Sequence, residues 1–368
     1  MGKCLNCGKE EKLIAGVLGL CQSCILHDFK RYEPHIQKVH QVSREAFGLP
    51  LQPPRDKGGI QCNFCFNQCL LGPGSKGYCG VRKNVEGGRI RPSPKEGFFS
   101  WYYDPLPTNC VADWVCPGGT GAGYPHYAYS KGAEYGYKNL AVFYNGCTFN
   151  CLFCQNWNHK EGLEEKKPRS SFDLAQAVDR KTSCVCYFGG DPSPHLLHSI
   201  HSSRLAQAQK EKKILRFCWE TNGTMNSRFL EEILDMATES GGCVKFDLKA
   251  FHSSLSIALC GRSNEQTKIN FELASAWIKK RKNPPLVVAS TLLVPGYVER
   301  DEVYQIAKFI ASLNPDIPYA LLGFYPHFYF RDLPVTSRRH AEECQEAALE
   351  AGAKKVRIGN LHLLGNDY

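Results

Sequence analysis

The chain has 368 residues, 45 Lys and Arg against 36 Asp and Glu for a formal charge of +9, and 19 cysteines beside 3 methionines. With 43% hydrophobic and 22% charged residues it carries enough apolar material for a sizeable core, which excludes intrinsic disorder and any need for disulfide staples. No run nears the roughly 18 apolar residues of a spanning helix and the start lacks an apolar signal core; the expectation is a cytoplasmic protein, off the membrane, whose odd number of cysteines serves metals in a reducing compartment.

Residues 1–27 hold two CxxC knuckles, Cys4/Cys7 and Cys21/Cys24, at the spacing of a zinc ribbon, in which four thiolates close a tetrahedron; rubredoxin-type iron would use the same set. So short a segment has too little core to fold alone, so metal binding would supply its folding free energy. Residues 28–57 read as a linker helix that breaks at Pro50, Pro53 and Pro54. Residues 58–137 form a cysteine- and glycine-rich preface with Cys62, Cys65, Cys69 and Cys79. Its second part, from about residue 98, is rich in Tyr, Gly and Pro, shows no period, and adds Cys110 and Cys116. Some of these six could hold an auxiliary iron-sulfur cluster or a second zinc.

From Lys138 to the end, residues 138–368, short apolar runs alternate with amphipathic stretches, the pattern of βα units. Strands are expected at Leu140–Tyr144, Cys184–Phe188, Leu215–Trp219, Val244–Leu248, Leu286–Val294, Tyr319–Phe324 and Lys355–Ile358. Helices fit between them at Phe172–Lys181, His195–Lys212, Ser227–Glu239, Glu265–Arg281, Arg300–Leu313 and Ser337–Ala351. The short basic runs Lys210–Lys213 and Lys279–Lys282 fall at these helix ends, so nucleic acid is not an expected partner. The fold class is therefore α/β: a partial (βα)6 TIM-like barrel of parallel strands with small N-terminal metal-binding modules.

In such a barrel the loops at the carboxyl ends of the strands build the site. The first carries Cys147, Cys151 and Cys154. Three thiolates on a tight loop can hold three irons of a 4Fe–4S cluster and leave the fourth open to a small molecule; a catalytic zinc with three ligands and water is the competing reading. The second carries Gly189, Gly190 and Asp191, where the absence of Cβ permits close backbone approach, and Pro192 fixes the turn. Glu220 and Asn222 offer an acceptor and an amide in the third, or a plain Asn-Gly turn. Asp247 and Lys249 alternate at a strand end and share a face, either toward a ligand or as an internal ion pair. Cys184, Cys186, Cys218 and Cys243 read as small buried hydrophobes, Cys344 as a helix residue, and Cys260 as a loop thiol worth testing for reactivity.

Cys147-x3-Cys151-x2-Cys154 followed by Gln155-Asn156-Trp157, with the next three loops, resembles the radical S-adenosylmethionine (radical SAM) superfamily, in the branch related to pyruvate formate-lyase activating enzyme. The resemblance implies that the open iron chelates S-adenosylmethionine. A low-potential donor of the flavodoxin or ferredoxin type then drives its cleavage to methionine and a 5′-deoxyadenosyl radical, which abstracts hydrogen from a protein, peptide or small molecule. It implies that Gly189, Gly190 and Asp191 meet the methionine amine, Asp standing where the family most often has Glu. It places Glu220 and Asn222 at the ribose, Asp247 and Lys249 as the catalytic pair that holds the cosubstrate, and His327, in Tyr325-Pro326-His327, near the nucleoside. Cys62 to Arg82 is similar to the preface of uncharacterised relatives of the activating enzymes. Two alternatives stand beside this: an activating enzyme that installs a glycyl radical on a partner, and a non-catalytic iron-sulfur or zinc protein for electron transfer or RNA docking.

Overall fold

Short runs rich in Val, Leu, Phe and Tyr become strands here because both of their faces are covered, as parallel strands require; Val287–Leu293 is buried at every position. The computed structural model describes residues 1–209 and 213–368, so the end of the expected helix His195–Lys212 and most of the run Lys210–Lys213 lie outside the described residues. One sheet contains β1 (Phe99–Pro105), β2 (Lys138–Tyr144), β3 (Thr182–Gly189), β4 (Arg216–Thr221), β5 (Val244–Asp247), β6 (Val287–Leu293), β7 (Tyr319–Gly323) and β8 (Val356–Gly359), each beside its neighbours in chain order. From β2 to β8 every pairing is parallel, which makes the α/β partial barrel. β1 runs antiparallel to β2 along all seven of its residues. It falls in the stretch read as lacking a period, because Ser-Trp-Tyr-Tyr-Asp on this edge strand is mostly solvent-facing and hides the alternation.

The α-helices of six residues or more among the described residues are α1 (Gln22–His27), α2 (Phe29–Glu45), α3 (Ser171–Gln176), α4 (Leu196–Gln207), α5 (Ser227–Ser240), α6 (Ser253–Cys260), α7 (Glu265–Trp277), α8 (Arg300–Leu313) and α9 (Arg338–Glu350). α6 corrects the sequence reading, which left Leu259-Cys260-Gly261-Arg262 as loop. Its Leu255, Ala258, Leu259 and Cys260 are fully buried, and Gly261 ends it at φ +73°, the left-handed cap that glycine adopts without strain.

Alternation along the strands sorts side chains between two surroundings. Trp219 and Phe246 pack outward, Phe246 edge-on to Phe271 of α7 at 5.3 Å, while Glu220, Lys245 and Asp247 turn into the barrel. The N-terminal modules pack on this frame. A single hydrophobic cluster joins Cys4, Ile14, Leu20, Ile25 and Ile36 to the barrel helices, and the Tyr297 hydroxyl accepts from the Ala15 amide (2.9 Å) and donates to the Leu20 carbonyl (3.0 Å). The preface docks on the loop after β4 through Phe66 N to Thr224 O (3.0 Å) and Asn226 N to Phe64 O (2.9 Å). Among the described residues no helix is long and apolar enough to cross a membrane.

Candidate active site

The loop that follows β2 is braced from three directions. The Cys147 amide donates to the Cys79 carbonyl of the preface (3.3 Å), Asn150 and Leu152 donate to the carbonyls of Cys260 and Leu259 in α6, and Tyr329 donates to the Leu152 carbonyl (2.9 Å). The Asn150 side chain is gripped by Ser43 of α2 (2.7 Å), His40 (3.0 Å) and the Lys160 ammonium (2.7 Å). So held, Cys147, Cys151 and Cys154 line one wall of a cavity of about 470 Å³ at the carboxyl ends of the strands. Burial, then Asp191, pushes the Cys147 thiol well up, and burial lifts Cys154 to about 11, whereas a hydrogen bond with Cys260 lowers Cys151.

These three sulfurs are not drawn together as single-ion ligands would be. Among the described residues the only group of three or more candidate ligands gathered within 4.8 Å of one another is Cys4, Cys7, Cys21 and Cys24. A single zinc needs thiolates packed around one centre at about 2.3 Å each; three separated, cavity-facing thiols fit a larger inorganic body with one corner left open.

Against the cysteine loop, the loops after β3 and β4 interlock. Gly189 sits at φ +116°. A Cβ on Gly190 would meet the Gly146 carbonyl at 2.3 Å and the His159 ring at 2.7 Å, so this glycine pair lets the β3 loop lie directly on the cysteine loop. Asp191 spends its carboxylate inside the protein, accepting from Ser193 N (2.9 Å), Thr221 Oγ1 (2.9 Å) and Asn222 N (2.9 Å). Asn222 donates to Thr148 Oγ1 (2.8 Å) and reaches the Cys147 sulfur at 3.7 Å. Both residues line the cavity, and their side chains brace its walls.

Asp247 and Lys249 also line the cavity, joined as an ion pair. Asp247 Oδ1 is buried without a hydrogen-bond partner in the protein. Burial opposes the Lys249 charge, but Asp247 and the thiols of Cys151 and Cys260 hold the ammonium well up. His327 is not among the cavity-lining residues. Its loop turns back onto the cysteine loop, where Phe328 stacks on Trp157 (5.8 Å) and lies 4.6 Å from the Lys160 ammonium.

Sequence reading missed Lys245, His159, and the pair Asp113–Arg357 (2.7 Å) that ties the segment after β1 to β8 across the cavity. Lys245 was legible, since it stands two residues before Asp247 and so shares its inward face. The other two depend on chain segments far apart in sequence. The six preface cysteines do not form one set. Cys62 and Cys69 pack with Leu71 and Tyr78, while Cys110 and Cys116 lie against Cys218 and Cys243 inside the barrel. Cys260 is fully buried at the end of α6.

In comparison with known proteins, residues 141–310 match the family described as the radical SAM superfamily. The chain is 23% identical over 326 residues to the uncharacterized protein MJ0808 of Methanocaldococcus jannaschii, covering 83% of each. It is 23% identical over 226 residues to MJ0674 of the same organism, covering 58% of this chain and 61% of the relative. A domain of pyruvate-formate lyase-activating enzyme from Bacteroides vulgatus is a structural neighbour at 19% identity, covering 48% of this chain and 98% of that one with a TM-score of 0.38.

Proposed function

The chain belongs to the radical SAM superfamily, and from that premise we propose that it is an enzyme in which Cys147, Cys151 and Cys154 hold a 4Fe–4S cluster and the adjoining cavity takes S-adenosylmethionine. When bound, these groups supply a 5′-deoxyadenosyl radical, with methionine as co-product, for abstraction of a hydrogen atom from a protein, peptide or small-molecule substrate. The observation that carries the reading is the convergence of three cysteine sulfurs, the glycine-rich β3 loop and the unpartnered Asp247 oxygen on one cavity. Asp247 Oδ1 suits an ammonium or hydroxyl, Lys249 a carboxylate, and Gly190 leaves the backbone bare beside the cysteine loop. The segment carrying Cys110 and Asp113, tied to Arg357, lines the same cavity as the cysteine loop.

A flavodoxin- or ferredoxin-type protein is the proposed electron donor, and the ribbon Cys4, Cys7, Cys21 and Cys24 the proposed zinc site, its sulfurs being already gathered within 4.8 Å. The long N-terminal extension favours a substrate other than a glycyl-radical enzyme, with the activating role as the second reading. Anaerobic purification, iron, sulfide and zinc counts, and reduction in the presence of S-adenosylmethionine test all of this. At least four irons per chain and release of 5′-deoxyadenosine, lowered at least 100-fold by Cys151→Ala, are expected; stoichiometric zinc without iron would sink the reading.

A further inference from the structure

Inside the barrel, directly below the cavity, the structure collects thiols that the function proposed above does not use. Cys186 and Cys218 are register partners on β3 and β4, the Cys218 and Cys243 sulfurs are 3.9 Å apart, and Cys110 and Cys116 reach the group from the segment after β1. In its midst sits the Lys245 ammonium, register partner and ion-pair partner of Glu220. Lys245 donates to the sulfurs of Cys110 (2.9 Å) and Cys186 (3.1 Å), and the Cys110 thiol donates to Glu220 Oε1 (3.4 Å). A cation already fixed between the sulfurs repels a metal ion from that position. Of these cysteines Cys110 is the one whose residue lines the cavity shared with Cys147, Cys151 and Cys154.

A thiol has a weaker bond to hydrogen than a saturated carbon has, so a thiol facing a cavity in which a carbon radical is made gives up its hydrogen readily. We propose that Cys110 is the hydrogen-atom relay of this enzyme, standing between the deoxyadenosyl radical and the substrate. The proposal rests on the radical SAM reading. The Cys110 S–H bond breaks homolytically as a C–H bond forms at the 5′ carbon, which leaves 5′-deoxyadenosine and a Cys110 thiyl. The thiyl then takes a hydrogen atom from a substrate carbon, which restores the thiol and leaves the substrate radical. When no substrate is present, one electron from the reductant and one proton from Lys245 return the thiyl to the thiol. Burial keeps Cys110 protonated by pushing its titration well up, and a thiolate would have no hydrogen atom to give. Lys245 and Glu220 are positioning residues: one donates to the sulfur, the other accepts from it.

The test needs no substrate. The full-length, cluster-loaded protein is reduced with dithionite and S-adenosylmethionine in D2O, where the thiol exchanges to S–D, and the 5′-deoxyadenosine is analysed by mass spectrometry. The label is read as a ratio and so is independent of turnover rate. Most of the product is expected to carry one deuterium in the wild type, with at least a tenfold drop in that fraction in both Cys110→Ala and Cys110→Ser at unchanged iron content. Unlabelled 5′-deoxyadenosine from the wild type would overturn the relay alone, whatever the variants do. So would label that survives both substitutions, label lost on Cys186→Ala in place of Cys110, or loss of iron or zinc with Cys110, which would make it a ligand. No 5′-deoxyadenosine at all would overturn both the relay and the function on which it rests.

Discussion

The ribbon and the cysteine loop are made of the same residue type at nearly the same spacing, yet they are built for opposite ends. In the ribbon, two knuckles approach from different turns, and four sulfurs close on one another within 4.8 Å, with the Cys7 and Cys21 sulfurs 3.9 Å apart. None of the four lines the large cavity. In the loop after β2, three sulfurs on one turn are held apart by bracing from α2, α6 and the preface, and face a cavity on their open side. A closed set of four leaves a metal nothing further to bind and so contributes folding energy. An open set of three leaves a coordination position for chemistry. The difference lies in how many backbone turns supply the ligands, and in what is packed on the side they leave free.

The sharpest way to break this contrast is Cys24→Ser. Removing a ligand from the closed set is expected to abolish zinc binding and to cost about 4 kcal/mol of stability, read by urea unfolding, while iron and sulfide content stay at the wild-type level. Loss of iron in step with zinc would mean that the two sites are one unit. Next in size is Gly190→Ala. Its Cβ would meet the Gly146 carbonyl at 2.3 Å, and overpacking of this kind is expected to cost about 3 kcal/mol and to weaken S-adenosylmethionine binding at least tenfold by equilibrium dialysis. A neutral result would mean that the cysteine loop yields, and that its open geometry is not enforced by its neighbours.

The smallest effect at any single step of pH concerns the joint between the two regions. His40 of α2 lies against the Ala258 carbonyl (3.0 Å) and Asn150 (3.0 Å). Burial, with Lys160 and Arg44 adding to it, lowers its titration from 6.5 to about 4. Below pH 6.5 the unfolded chain binds a proton that the folded one refuses. The His40 contribution is therefore fully present above 6.5 and is lost as pH falls from 6.5 to about 4, by about 1.4 kcal/mol per pH unit. Urea unfolding at stepped pH should show this slope, reduced by that amount in His40→Gln; an unchanged slope would place the acid-sensitive contact elsewhere.

Local chemistry was legible wherever it depends on spacing within one loop or one strand. Both CxxC knuckles, Cys147, Cys151 and Cys154, and the strands β2 to β8 could be read because hydrophobic alternation and ligand spacing repeat over a few residues. Lys245 was present in the same pattern, two residues before Asp247, and was passed over because an isolated lysine in an apolar strand carries no motif. The edge strand β1 and the helix α6 were missed for the opposite reason: the first is mostly exposed and the second mixes Ser253, Ser254 and Ser256 with its apolar residues, so neither shows a clean period.

Amino-acid order by itself determined the barrel, the spacing of its candidate metal-ligating cysteines and the resemblance to a superfamily, because these follow from periodicity and from residue type at short range. Tertiary structure decided which thiols close and which stay open. It turned Asp191 and Asn222 inward as braces and left one oxygen of Asp247 unpartnered. It also divided the preface cysteines, sending Cys110 to Lys245 inside the barrel and keeping Cys62 and Cys69 outside. The braces made by Asp191 and Asn222 and the contact of Cys110 with Lys245 join residues 30 to 135 positions apart, and packing across such distances has no counterpart in local spacing.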